Sequence, residues 1–541
     1  MSLPQRLATT LTTKTQTLLT LTSAGVVRPT RPDRIMHIAL ALQRWGTTAA
    51  AGYTAASARY PDDVGIVDEL GTLTFREIHE RTNALAHSLE QDGIGAGDRV
   101  AVMCRNHRGF IETVVACSKL GAHSLFLNTM FSKPQLTDVL EREDPSALVF
   151  DEEFTGLLDE ADVDLKRYIA WHEPDEDAGA PLIERLIEDG DTSNLTPPAE
   201  PGRATILTSG TTGTPKGANR HQPKSMDPIA ALLDRIPLKA RETTMIAAPL
   251  FHSWGYTHWS LGISLSSTLV LKRKFDPEST LSLTAQHEAT ALVVVPVMIQ
   301  RILELDDDTL SRYDLSKLRV VPVSGSALPG SQSERWMDLF GDNLYNLYGS
   351  TEVAWATIAT PTDLREAPGT AGKPPRGTVV KLYDDDGGLV KQGETGRIFV
   401  GNEMQFEGYT GGGNKDVIDG LMSSGDVGHF DDQGRLFVDG RDDDMIVSGG
   451  ENLFPGEIEE LLTGHPDVVE AAVIGVPDDK FGQRLRAFVV RRDETALDED
   501  AVRDHVRSNL ARYKVPRDVV FLDELPRNPT GKVLKRELPA D

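Results

Sequence analysis

The sequence is poor in cysteine: 541 residues contain only Cys104 and Cys117, both in an apolar stretch. No disulfide framework or cysteine-ligated metal site is implied, and a reducing compartment fits. The chain also lacks any apolar run of 18 residues, and its N-terminus has neither a clean hydrophobic core nor a small-residue cleavage pattern. Neither a membrane-spanning helix nor a secretory signal is expected. Positive charge is scarce too, with 56 Lys and Arg against 82 Asp and Glu and a net charge of -26 at pH 7. That balance argues against a nucleic-acid-binding surface. The expectation is a cytoplasmic protein.

The chain is too long for one average domain, so two or more are expected. Residues 1–50 form a basic extension, in which Arg6, Lys14, Arg28, Arg31, Arg34 and Arg44 face a single acid, Asp33. Ile35, Met36, Ile38, Ala39, Leu42 and Trp45 recur there at helical spacing. Such a helix suits either of two surfaces: the protein's own body, the commoner case, or the anionic inner face of a membrane as a peripheral contact. From residue 60 the pattern alternates, with strands expected at 100–103, 124–127 and 147–150 and helices at 110–120 and 133–142. It returns at 291–295, 297–305, 318–323 and 330–340. Strands separated by helices of this length predict a parallel sheet covered on both faces, with ligand loops at the carboxyl ends of its strands. Residues 381–439 change to short strands and turns, a β-rich subdomain. After Gly440 a compact α/β unit of about 100 residues follows, a size typical of a small domain.

Residues 208–217 read Thr-Ser-Gly-Thr-Thr-Gly-Thr-Pro-Lys-Gly. The glycines remove Cβ atoms that would hold a backbone away from an anion, the hydroxyls and N–H groups are donors, and Lys216 adds positive charge. A phosphate-holding loop is one reading and a surface linker is the other. A Walker A loop is excluded, because it needs Ser or Thr directly after Gly-Lys, whereas Gly217 follows Lys216 here. Further motifs follow in order: Pro249-Leu-Phe-His252, Ser324-Gly-Ser326, Tyr348-Gly-Ser-Thr-Glu352, Gly425-Asp426, Gly440-Arg441 through Gly450, and Pro529-Thr-Gly-Lys532. In content and order this set resembles the signatures of the adenylate-forming superfamily, which includes acyl-CoA synthetases, firefly luciferase and the adenylation domains of peptide synthetases.

The resemblance implies an α/β fold. A large N-terminal domain, residues 51–440, would carry parallel sheets flanked by helices and the β-rich subdomain; residues 441–541 would form a small, mobile α/β lid. It also implies activation of a small-molecule carboxylic acid by ATP and Mg²⁺ as an acyl-adenylate, followed by transfer to coenzyme A. Thr208, Ser209, Gly210, Thr211, Thr212, Gly213 and Lys216 would hold phosphates. Thr351 would contact the α-phosphate and Glu352 would ligate Mg²⁺, a hard cation that prefers oxygen ligands. Tyr348 would stack on adenine with Gly325, Asn346 and Gly349 beside it, while Asp426 and Arg441 would meet the ribose. Lys532 would bridge the substrate carboxylate and the α-phosphate. Asp443 would be the hinge about which the lid rotates between the two half-reactions, and Gly449 and Gly450 would let the backbone approach pantetheine. Asn452 stands where some acetyl-CoA synthetases carry a phosphate-binding arginine.

His252 bears on the substrate. Amino-acid-activating relatives place an aspartate there to pair with the ammonium, because an unpaired buried charge is costly. An amino acid is therefore disfavoured. His252, Trp254 and Gly325 would bind the acyl group, with Tyr256 and Trp259 lining or gating the same pocket; the alternative is that the tryptophans are core residues only. A medium- or long-chain fatty acid is the first expectation and an aromatic acid the alternative. A fatty acyl-AMP ligase that feeds a separate carrier protein would stop at the adenylate, and an inactive nucleotide-binding regulator would lack Lys532, Glu352 or Asp426. All three are present.

Overall fold

The computed structural model describes residues 3–28, 32–160, 165–173, 180–208, 216–220, 225–409, 414–442, 446–448, 451–453, 455–478, 482–492, 495–510, 514–528 and 531–539. By contact density the chain divides into two compact units. The first is Met1–Val294 with Glu304–Pro322 and Glu403–Asn414; the second is Val295–Leu303 with Val323–Asn402 and Lys415–Asp541.

The first unit is built on two sheets. In the larger, five parallel strands lie in the order Ala204–Thr208, His123–Phe126, Arg99–Met103, Ala147–Asp151 and Lys166–Trp171. The predicted alternation is realised here within a residue or two at each end. The strands at 99–103 and 147–151 are buried nearly throughout, because helices cover a parallel sheet on both faces. Ala101, Leu125, Leu148 and Phe150 form one core with Leu136, Val139 and Leu140 of the helix Lys133–Glu143. Each buried large apolar side chain there contributes roughly 1.5–3 kcal/mol. Two antiparallel strands extend the sheet beyond Ala204–Thr208: Lys216–Arg220 and, outside it, Phe406–Tyr409. The segment around 406 was expected in the β-rich subdomain; it is an edge strand of this sheet instead. The second sheet runs Ala291–Val293, Thr243–Ile246, Thr268–Leu271, Val64–Asp68 in parallel, closed by the antiparallel strand Gly71–Thr74.

The basic extension is helical, as its periodicity predicts. Helix α1 (Leu3–Ser23) packs on the helix Asp227–Arg235, where Thr17 donates to the Asp227 carboxylate. Helix α2 (Pro32–Trp45) packs on the helix Ala49–Arg59. Each therefore turns one face to the protein's own body, while Leu18, Leu19, Met36, Leu40 and Leu42 stay exposed. Among the described residues no helix is long and apolar enough to cross a membrane. Two further helices position the site, α3 (Ser253–Leu265) in the first unit and α4 (Pro296–Leu303) in the second.

The second unit holds the antiparallel hairpin of β1 (Leu344–Ser350) and β2 (Ala354–Ala359). It also holds an antiparallel sheet containing β3 (Leu421–Phe430) and β4 (Leu436–Arg441), the predicted β-rich part. Its C-terminal portion has a sheet of its own, in which β5 (Val468–Asp478) pairs with the strand Gly482–Arg491 and Asp518–Leu522 joins in parallel. Ile458, Leu462, Val473, Val489, Val502 and Val506 fill the core against it.

Candidate active site

The glycine-rich stretch lies at the carboxyl end of a parallel strand, where α/β sheets place ligand loops. Thr208 ends the strand, Lys216 begins its antiparallel neighbour, and the two are register partners. Ser209, Gly210, Thr211, Thr212 and Gly213 lie outside the described residues, as do Asp443, Gly449 and Gly450.

In the same unit the Pro249–His252 motif runs into α3, with His252 at its N-cap position. A residue the sequence reading missed shapes this segment. The buried Asn106 donates to the carbonyls of Ile246 and Ala248 at 3.2 and 2.9 Å and accepts from the Leu250 N–H at 2.8 Å. An asparagine directly after the apolar strand Arg99–Met103 and its following cysteine and arginine was the available signal. The His252 Nε2 is buried and has no hydrogen-bond partner among the described residues, and the same holds for His258 on α3. Burial lowers both imidazoles to a pKa of about 4, so both are neutral at pH 7. Trp254 is anchored by an indole N–H bond to the Val294 carbonyl at 3.0 Å. Trp259 is fully enclosed and bonded to the Tyr53 hydroxyl at 3.1 Å, which makes it a core residue and not a pocket wall.

The remaining predicted residues gather in the second unit. The Tyr-Gly-Ser-Thr-Glu motif was expected in a loop after a strand. It begins inside β1, and Thr351 and Glu352 form the tip of the β1–β2 hairpin. The register slips by one residue between Tyr348 and Gly349. A Cβ on Gly349 would lie 2.0 Å from the Ala354 carbonyl oxygen, so only glycine allows this bulge. The Ser350 hydroxyl accepts from the N–H groups of Glu352 and Val353 at 3.3 and 3.4 Å and fixes the tip. Asn402 adds donors to the Val353 and Trp355 carbonyls at 2.8 and 2.9 Å. Asn346 is buried on β1, and Gly325 follows the strand Val321–Val323 with φ at 109°, a conformation that favours glycine.

Asp426 on β3 connects these residues. It is the register partner of Arg441 on β4, and its Oδ1 stands 3.6 Å from that guanidinium. Its Oδ2 accepts from the Tyr348 hydroxyl at 2.5 Å, and the Ser424 hydroxyl, 3.0 Å from the same phenol, completes the contact. Tyr348 is therefore held by its polar end with its ring orientation set. Burial raises the Asp426 carboxyl pKa, and the bond from Tyr348 and the charges of Arg441 and Lys532 oppose that rise. Burial, reinforced by the Asp426 charge, puts the Tyr348 hydroxyl well above its usual range. Ser424 and Asn402 are further residues that no motif announced.

The Lys532 charge is thus among those that oppose the rise of the Asp426 carboxyl. Its loop is tightly made: the Lys532 N–H donates to Asn528 Oδ1 at 2.8 Å, and its carbonyl accepts from the Asn528 N–H at 2.8 Å. Gly531 has φ at 81°, and a Cβ there would come within 2.3 Å of Val297 Cγ1 on α4. Glu352 offers hard oxygen donors at a half-buried hairpin tip, which fits a magnesium ion that keeps waters and phosphate oxygens as its other ligands.

The sequence profile of the AMP-binding enzyme family matches residues 53–410, and that of the AMP-binding enzyme C-terminal domain matches residues 457–532. The indoleacetate–CoA ligase of Aromatoleum aromaticum is 33% identical over 479 residues, covering 86% of this chain and 92% of that protein. A feruloyl-CoA synthase from an Amycolatopsis species is 34% identical over 471 residues, covering 86% and 93%. Among solved structures, the anthranilate CoA ligase AuaEII in complex with anthranoyl-AMP superposes with a TM-score of 0.81 at 25% identity, covering 91% of this chain and 96% of the other. The chain belongs to the AMP-binding enzyme family and is an acid–CoA ligase of the adenylate-forming superfamily, which consumes ATP with Mg²⁺ to make an acyl-adenylate and passes the acyl group to coenzyme A.

Proposed function

We propose that the acid is aromatic, an aryl or arylalkyl carboxylic acid, and not the fatty acid that the sequence first suggests. The observation that carries this is the start of α3. It presents a neutral His252 with an unpartnered Nε2, packed on the Phe251 ring at 4.4 Å and followed by Trp254 and Tyr256. Aromatic rings prefer such edge and offset contacts, and a neutral imidazole offers a hydrogen bond without requiring a charged substrate. Relatives named for indoleacetate and ferulate support the same reading.

In the proposed reaction a carboxylate oxygen of the acid attacks the α-phosphorus of ATP and pyrophosphate leaves, giving the mixed anhydride. The thiolate of coenzyme A then attacks the acyl carbon, and AMP leaves with the anhydride oxygen. Thr208, Lys216 and the glycine-rich stretch between them hold the phosphates. Tyr348, with Asn346, Gly349 and Gly325, seats the adenine, Asp426 and Arg441 hold the ribose, and Thr351 meets the α-phosphate. Glu352 holds Mg²⁺, whose charge neutralises the phosphates when it is bound. Lys532 stabilises the charge that develops as the anhydride forms. His252 and Trp254 border the acyl group, Asp443 is the pivot, and Gly449 and Gly450 admit the thiol arm.

Incubation with ATP, Mg²⁺, coenzyme A and a graded panel of acids, read by mass spectrometry, tests the proposal. Indoleacetate, cinnamate-type and benzoate-type acids are expected to give thioester and AMP ahead of any fatty acid. Preference for a medium- or long-chain acid would overturn the aromatic assignment, and adenylate without thioester would overturn the assignment of the acceptor.

A further inference from the structure

We infer that Glu470, remote from the motifs, is a positioning residue that holds Lys532 in place for acyl-adenylate formation. The inference rests on the role proposed for Lys532. Glu470 lies near the start of β5. Its Oε1 pairs with Arg527 Nη2 at 2.6 Å, and the other arm of the same guanidinium, Nη1, donates to the carbonyl of Gly531, the residue before the lysine. The same carboxylate oxygen accepts from Gln300 Nε2 of α4 at 3.1 Å. A line of hydrogen bonds thus runs from α4 through Glu470 and Arg527 to the backbone that carries Lys532. Both charged side chains are mostly shielded, at 17% and 24% exposure, so the pair is less screened than a surface ion pair.

The geometry explains why these residue types are needed. A guanidinium is a planar fork and can hold a carboxylate and a carbonyl at once, which an ammonium on a flexible stem does poorly. Gly531 has φ at 81° and leaves no room for a Cβ beside Val297 of the same helix that bears Gln300. The loop is therefore fixed twice to α4, by packing at Gly531 and by the polar relay at its carbonyl. A lysine on a loop has no such precision by itself, because disorder concentrates at loop tips that are not tied down. Misplacement of a transition-state charge by about 1 Å costs on the order of 10²-fold in rate.

The test separates the two half-reactions, using an acid that the panel shows to be turned over. ATP–pyrophosphate exchange reads adenylation, and release of thioester from supplied acyl-adenylate and coenzyme A reads transfer. Glu470→Ala is expected to slow adenylation about 10- to 100-fold with an unchanged KM for ATP and an unchanged transfer rate. Glu470→Gln, which keeps the volume and one acceptor, is expected to lose less, and Arg527→Lys to behave like Glu470→Ala. Equal slowing of both half-reactions, or full adenylation in both Glu470 variants, would overturn the inference. Should Glu470→Ala fail to fold, the Gln and Lys variants decide. Lys532→Ala is run beside them: if it adenylates at full rate the reading of Lys532 falls, whereas a slow Lys532→Ala with fast Glu470 variants sinks only the relay.

Discussion

Burial raises the Asp426 carboxyl pKa, so the desolvated surroundings of this group favour its protonated form in the folded chain. A raised carboxyl contributes stability below its unfolded pKa and loses that contribution as pH rises through the folded value. Asp426→Asn is therefore expected to melt at a higher temperature than wild type near pH 7. Its KM for ATP should rise about tenfold or more, because a hydrogen bond to a charged acceptor contributes about 1.5–3 kcal/mol. Calorimetry and initial rates check the two halves; a lower melting temperature would show that the Tyr348 bond outweighs desolvation. Lys532→Ala is expected to lower adenylation by about 10² to 10³, the effect of removing one preorganised donor. Such residues were legible in the sequence because their types sit in ordered motifs. Asn106, Ser424, Glu470 and Arg527 were not, because each acts through a partner at least 57 positions away or through a backbone carbonyl, and no local pattern records that.

Gly349 decides the shape of the β1–β2 hairpin. Gly349→Ala would drive a methyl into the Ala354 carbonyl, so it is expected to cost about 1–3 kcal/mol, the range for overpacking. Because that hairpin carries Thr351 and Glu352, adenylation should fall by more than global unfolding explains, as urea titration beside pyrophosphate exchange will show. The motif looked like a loop because antiparallel pairing at 354–359 joins it from further along the chain. Helix α3 makes a separate prediction. His252 and His258 are depressed to a pKa of about 4, below their unfolded value of 6.5, so their contribution to stability is complete above 6.5 and is lost as pH falls toward 4. Each is expected to remove about 2 kcal/mol by pH 5. Urea unfolding at pH 7 and pH 5 should show a smaller loss in His258→Gln than in wild type; an equal loss would mean that His258 is not titrating from a buried neutral state.

The whole chain crosses between its two units five times, and residues given roles in the proposed reaction occur in each. An acyl-adenylate analogue at about 100 times its Kd should add about 2.7 kcal/mol to stability. Amide exchange is expected to slow in both units, at 204–208 and 216–220 as well as at 344–353, 424–428 and 528–533. Unchanged exchange at any of these segments would contradict the role proposed for its residues. The parallel strands and their helices were legible because period and length suffice for them, whereas the strand at 406–409 was placed wrongly because its pairing is non-local. That strand has a consequence for biosynthesis. Lys216–Arg220 leaves the ribosome nearly two hundred residues before Phe406–Tyr409, which will cover it. At about 5–20 residues per second the nascent sheet keeps an open edge for on the order of 10–40 s. An open edge is a template for pairing with another chain. The enzyme's yield in a cell is therefore expected to depend on how fast its message is read between those two strands.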